Sequence, residues 1–460
     1  MTPPRFRPRL EGFEDRAVPA VLTWVGSGLA SSAANWSPAQ LPAYGDELIY
    51  DGGYSNANST SLYSMGPYAA IRLRNGYSGT VALGTTVSTG ILELRSGSID
   101  QVSAERELYV TSSLTWTGGT LNSGSTANVV HVTGGTATIA PTNAGTVYSG
   151  SQLSFENGAV GTFTGGTVSF TNIGTVEVIG ASTANLTDVT FDTTANALPI
   201  KLTPGVGGVG TPTVYAKNTT AHAIESYDGQ VFVKGGGTVK LTKTIPNSLS
   251  IGVAIYGGLL AVENGTTLDV GANSILVKDT TVGGVLHPVR LATVAVGAVG
   301  TPNQAEPVAK IKAGELKISG QASITISDNA YRLDLLAAND HRFGELEVTG
   351  TILWEGGTYS PVIHATDVSK RDRWTNTGTF KVAGNVVKVA PVGTCAVGLK
   401  YNVLESTVGF APIVVGNTVL PTIEGVDQNG LDLWKWRPAT AAYSQPNIPI
   451  KSWAVERQRA

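Results

Sequence analysis

Apolar and polar positions alternate in short runs along most of this chain, and glycine closes many of the runs. GELKISG at 314–320 and GELEVTG at 344–350 carry the pattern. Each has two apolar residues at period two, Leu316 with Ile318 and Leu346 with Val348, and charged residues among them. In an extended strand that spacing sends alternate side chains to opposite faces. These four residues are therefore predicted to point into a core and the charged residues to solvent. The template returns as GTVEVIG at 174–180, ILELRSG at 91–97 and LLAVENG at 259–265. A second set of pieces carries Gly-Gly: WTGGTLN at 116–122, VTGGTATI at 132–139, FTGGTVSF at 163–170 and WEGGTYS at 354–360. Val-Gly-Thr-Pro occurs at 209–212 and again at 299–302. The unit is a short strand, a tight glycine turn and another strand.

One such strand cannot build a core alone, but stacking many of them can. Asn75-Gly76, Asn157-Gly158 and Asn264-Gly265 supply the positive φ that sharp corners need. Scarcity of helix-period segments argues against a βαβ sheet, in which each parallel strand requires a crossover. The expected fold is all-β, a single right-handed parallel β-helix with end caps. The thirty-residue offset between the two GEL motifs reads as one coil. With roughly 20–30 residues per coil the body holds about 12–18 coils. At about 4.8 Å per coil that makes a rod on the order of 60–85 Å long. The competing architecture is a set of β-sandwiches, whose hairpins recur about every 8–12 residues.

Both ends break the pattern. Residues 5–20, RFRPRLEGFEDRAVPA, concentrate four arginines and three carboxylates ahead of a body of low charge. Pro3, Pro4 and Pro8 oppose a regular helix, and no long apolar stretch follows as in an ordinary signal peptide. TWVGSGLASSAANWSPAQLPAYGDELIYDGG (23–53) holds two tryptophans and two prolines. An open β-helix end exposes core and unpaired backbone, so Trp24 and Trp36 are expected to cover the first coil. DLWKWRP (432–438) and KSWAVERQRA (451–460) suggest closure of the far end. The expected divisions are a charged head at 1–20, a cap at 21–53, the β-helix at 54–410, and a C-terminal cap and tail at 411–460.

Composition narrows the chemistry. Only 14% of residues are charged and the formal net charge is −3, which gives no pull toward nucleic acid. No apolar run is long enough to span a membrane. Cys395 is the only cysteine and forms no internal disulfide. GVGGVG at 205–210 matches a dinucleotide fingerprint in letters, but Thr211-Pro212 follows it where a helix should begin. His131, His222, His287, His341 and His364 are scattered, without a helical metal-binding pair. Asp328 and Asp334 lack the spacing of a calcium loop. No catalytic, cofactor or metal residue is assigned, and no cofactor is expected. The densest polar stretch is HATDVSKRDRW at 364–374. Asp367, Lys370, Arg371, Asp372 and Arg373, with Trp354, Tyr359 and Trp374, are the candidate glycan contacts, because an aromatic ring can stack on a sugar while charged groups bind its substituents.

The head resembles the N-terminal motif of secreted planctomycete proteins, a basic stretch followed by Leu-Glu-x-Leu-Glu-Asp-Arg-x-x-Pro. Leu10, Glu11, Glu14, Asp15, Arg16 and Pro19 match it, and Phe13 stands in place of a leucine. The string W-x-G…NWS…LP…GD…I-x-D-G-G and the Gly-Gly-Thr strands resemble the passengers of autotransporter-like surface proteins, which have a pectin-lyase-like β-helix. LEVTGTILWEGGTYSPVI (346–363) and YNVLESTVGF (401–410) are similar to the last coils of such passengers. No translocating barrel pattern follows them. The resemblance implies export or surface sorting through residues 1–20. It also implies a secreted or cell-surface rod, structural or adhesin-like, with polysaccharide or other surface proteins as partners. Two alternatives stay open: a glycan-binding passenger, and a polysaccharide lyase. A groove on the outer face with three or more carboxylates and an Arg or Lys on adjacent coils favours the lyase; a flat Thr/Ser/Asn face favours the spacer.

Overall fold

A computed structural model of the protein describes residues 19–63, 67–101, 106–123, 129–142, 145–150, 152–170, 174–193, 199–263, 265–282, 285–294, 308–325, 345–364, 372–383, 386–388, 390–392, 400–406, 409–412, 422–424, 434–438 and 452–457. Strands recur throughout, and most pair in parallel with a strand of the next coil, not with their neighbour in sequence. The chain is a single parallel β-helix. Its strands fall into three ladders, so each coil has three sides.

The first ladder passes through Glu47–Asp51, Thr136–Ile139, Thr183–Thr187, Gln230–Val233 and Val289–Val294. The second passes through Thr146–Ser149, Thr167–Phe170 and Thr266–Asp269. The third passes through Val129–Thr133, Gln152–Glu156, Val176–Ile179 and Ser274–Lys278. Long strands such as Leu108–Trp116 and Ala309–Ser319 turn a corner and serve two ladders.

Alternation along each strand builds the core. On the first ladder Leu48, Ile71, Leu92, Leu114 and Ala137 succeed one another inward, all buried. The next rung of that column is Gly161, where a Cβ would stand 2.6 Å from Cζ of Phe155. The phenyl ring fills the space that a side chain would occupy. One continuous cluster of buried side chains runs from Leu22 to Leu404. Corners take left-handed backbone: Asn75 (φ 52°), Gly76 (φ 75°), Asn157 (φ 55°) and Gly158 (φ 83°) supply it as their types predict.

Leu316, Ile318, Leu346 and Val348 are all buried, as the alternation requires. The assumed register between their two motifs is not the one formed. Leu316 and Ile318 pair with Ile352 and Trp354, whereas Leu346 and Val348 pair with Ala309 and Ile311. The two GEL motifs thus occupy different ladders. Similar strands are required on every side of a coil, so likeness in sequence does not select the side.

Antiparallel strands close both ends. Val21–Trp24 pairs in parallel with Glu47–Asp51 and antiparallel with Trp36–Ser37. Trp24, Trp36, Tyr50 and Tyr77 fill the space beneath, with successive ring centroids 5.1–5.6 Å apart. The indole N–H groups donate to Ala57 O (3.0 Å) and Ala30 O (2.8 Å). At the far end Lys400–Ser406 accepts Ser452–Arg457 in antiparallel pairing, and Trp434–Pro438 extends that hairpin. Parallel stacking begins at Val21 and continues to Thr422–Glu424, beyond both limits of the expected 54–410 body. GVGGVG is an exposed loop with one short 3-10 turn at Val206–Gly208.

Candidate functional site

The 354–374 region does not offer its aromatics to a ligand. Trp354, Tyr359 and Trp374 are fully buried, which corrects the expectation that they contact a glycan. Their strand phase is the cause. Trp354 lies in register with Ile318, Trp374 with Leu346 and Tyr359 with Ile324, all inward positions. Trp374 packs on Trp354, Tyr359 and Phe380, with ring centroids 4.9–5.8 Å apart. Counting by twos from Ile352 would have placed Trp354 inside. Asp372 is also buried, and Arg373 points outward and is bound to Glu345. Asp367, Lys370 and Arg371 lie outside the described residues, as do Leu10, Glu11, Glu14, Asp15, Arg16, Asp328, Asp334 and Cys395. Pro19 is described and exposed.

A polar row that no single stretch of sequence displays runs along the third ladder. Its outward column reads Tyr109, His131, Ser154, Glu177 and Lys201 over five consecutive coils. Tyr109 and His131 stack with ring centroids 4.5 Å apart and 7° between planes. His131 Nδ1 lies 2.6 Å from Glu156 Oε1, and Nε2 lies 3.7 Å from Glu107 Oε1. Glu156 also accepts from Ser154 Oγ at 2.7 Å. Glu177 accepts from Gln152 Nε2 (2.6 Å) and Thr203 Oγ1 (3.0 Å) and faces Lys201 Nζ at 3.4 Å. The Tyr109 hydroxyl donates to Glu107, and that bond, with partial burial, pushes the phenol up to about 12. The row thus brings Glu107, Glu156 and Glu177 together with His131 and Lys201. Each carboxylate already accepts a hydrogen bond from a neighbour.

The first ladder presents a different surface. Two outward columns run Ser113, Thr136, Val160, Thr183, Thr213 and Thr115, Thr138, Thr162, Asn185, Tyr215. These side chains are exposed or half-buried and uncharged, and all but Tyr215 are short. Branching at Cβ restricts threonine to few rotamers, which makes such a face stiff as well as flat.

Among the described residues, no group of three His, Cys, Asp or Glu side chains is arranged to hold a metal ion. Among them too, no helix is long and apolar enough to cross a membrane. No protein-family model matches the chain, and no curated protein matches it.

Proposed function

We propose that this protein is an exported structural rod of the cell surface or extracellular matrix, a rigid spacer or adhesin-like element, and not an enzyme. The observation that carries the reading is the single core from Leu22 to Leu404 between two ends closed by antiparallel strands. Closed ends keep the backbone edges of one rod from templating another, so the rod has a defined length. The flat threonine columns suit a spacer, and the match of residues 7–20 to a sorting motif suits export.

Two measurements test this. Spin labels at Thr136 and Arg290, six rungs apart on one column, are expected about 30 Å apart, and inserting one designed coil between them adds about 5 Å. In intact cells of the native host, added protease digests the protein, and deletion of residues 1–20 makes it inaccessible. Protection of the full-length chain, or unchanged exposure after the deletion, overturns the export reading.

A second reading, a polysaccharide lyase, draws on the Glu107–His131–Glu156 row. Cleavage β to a uronate needs its carboxylate neutralised and a base near the α-proton. The test is ultraviolet absorbance of unsaturated product from a panel of uronate polymers, with and without calcium. Product formation abolished by His131→Ala or Glu156→Gln would place the enzyme first.

A further inference from the structure

Cations on this rod commonly face an acid one coil away. Arg72 bridges Glu47 and Glu93, Lys310 meets Glu347, Lys317 meets Glu355, and Arg373 meets Glu345. Lys217 and Lys234 are two of several cations, Lys240 and Lys278 among them, that make no such pair among the described residues. Lys217 and Lys234 are both exposed. They follow paired positions on the first ladder, Ala216 and Val233, so their stems leave the same corner one coil apart. Lys234 Nζ sits 3.6 Å from the centroid of the Tyr215 ring, which is itself stacked on Phe232. That cation–π contact fixes the ammonium at the surface without neutralising it.

Gly235, Gly236 and Gly237 follow Lys234 directly, all in left-handed backbone (φ 81°, 77° and 77°). Successive N–H groups in tight turns make concave sites for oxyanions. Here Gly235 N–H donates to the Glu263 carboxylate of the next coil, and Gly236 N–H donates to Thr266 Oγ1 at 3.2 Å. The Lys217 stem lies against the same turn, since a Cβ at Gly235 would meet its Cδ at 2.8 Å. A carboxylate therefore already occupies the turn; the Lys217 stem lies against that turn, and Lys234, which precedes it, carries its ammonium over the Tyr215 ring one coil back.

We propose that this corner is a docking site for an acidic polysaccharide, with Glu263 as its built-in competitor. A carboxylate or sulfate of the glycan takes the Gly235 N–H from Glu263, and Lys217 and Lys234 balance its charge. Charge complementarity selects the occupant. Two lysines and one turn match an isolated anionic group on a sugar. A nucleic-acid backbone is held through many simultaneous phosphate contacts, and the net charge of −3 gives it no wider attraction. The proposal rests on the surface-rod reading, because it supplies that rod with a ligand.

The probes are polygalacturonate (carboxylate), chondroitin sulfate (sulfate and carboxylate) and neutral dextran, titrated calorimetrically against the full-length protein at low and high salt. Wild-type protein is expected to bind one or both acidic polymers, less tightly in high salt, and not dextran. Lys217→Ala/Lys234→Ala weakens binding about tenfold or more, while Glu263→Gln strengthens it about threefold or more. The gain is one that no misfolded variant would show. Stronger binding to chondroitin sulfate marks sulfate as the preferred group; parity marks carboxylate. The proposal is overturned by absence of binding to both acidic polymers, by equal binding to dextran, by a double variant within twofold of wild type, or by an unchanged Glu263→Gln affinity. None of these outcomes alters the spin-label distance or the protease result, so failure here and failure of the rod reading are separable.

Discussion

Trp24 and Trp36 meet edge to face at the first coil, 5.1 Å between centroids and 71° between planes. The pair makes the N-terminal closure a packed layer, with Trp36 only 1% exposed and also edge-on to Tyr50. Trp36→Ala removes that layer and leaves Ala30 O without its indole donor. The expected cost is about 3–5 kcal/mol in chemical denaturation. Because each repeat of a solenoid contacts chiefly its neighbours, the loss should concentrate in the first coils. Hydrogen exchange should rise in strand Val21–Trp24 before it rises at Ile275. Uniform loss of protection along the rod would show that the closure is not a local unit.

Leu346 and Glu347 test the phase of the alternation at adjacent positions. Leu346 is 1% exposed, whereas Glu347 faces outward to Lys310 at 3.1 Å. Leu346→Ala should cost about 2–5 kcal/mol through lost burial and the cavity left behind. Glu347→Ala should cost about 1 kcal/mol or less, since a surface ion pair contributes little. Equal stabilities of the two variants would contradict this strand phase.

Much of this fold was legible because alternation and glycine corners are local signals. Leu316 and Ile318 could be assigned to the interior from their own strand alone. That they pair with Ile352 and Trp354 could not be read in the same way, since any alternating strand can stack on any other and the chain between them determines the side. The buried Trp354, Tyr359 and Trp374 were missed because an aromatic beside charged residues reads as exposed until its strand phase is counted. The polar row around His131 was hidden for a different reason. Its successive rungs lie more than twenty residues apart in sequence and meet only through coil-on-coil register.

Glycine at corners is predicted to matter unequally. Gly76 and Gly258 share a φ of 75°, but a Cβ at Gly76 meets nothing within 4 Å, while one at Gly258 would stand 2.1 Å from Gly229 O. Gly76→Ala should therefore show only the left-handed penalty of about 1–2 kcal/mol. Gly258→Ala adds a backbone collision and should cost about 2–5 kcal/mol in all. Thermal or chemical unfolding of the two variants checks the order, and a reversal would refute the geometry of this corner.

His222 makes stability depend on pH in a definite direction. The side chain is 6% exposed and its Nδ1 has no hydrogen-bond partner. Burial, reinforced by the positive charge of Lys243 and opposed by Asp192, pushes the imidazole down to about 4 from its ordinary 6.5. Between those values the unfolded chain binds a proton that the folded chain refuses. Stability therefore rises with pH across that window, and the contribution is complete above about pH 6.5. As pH falls from 6.5 toward 4 the fold should lose about 2–3 kcal/mol from this group, with no further loss from it below. Other groups titrate in the same range, so the comparison is wild type against His222→Gln at each pH. The difference between their unfolding free energies should shrink in the variant's favour on acidification and then level off. NMR of the imidazole gives the independent reading, a folded-state midpoint near 4; a midpoint at 6 or above would mean that the ring is solvated and that the acid sensitivity of this rod arises elsewhere.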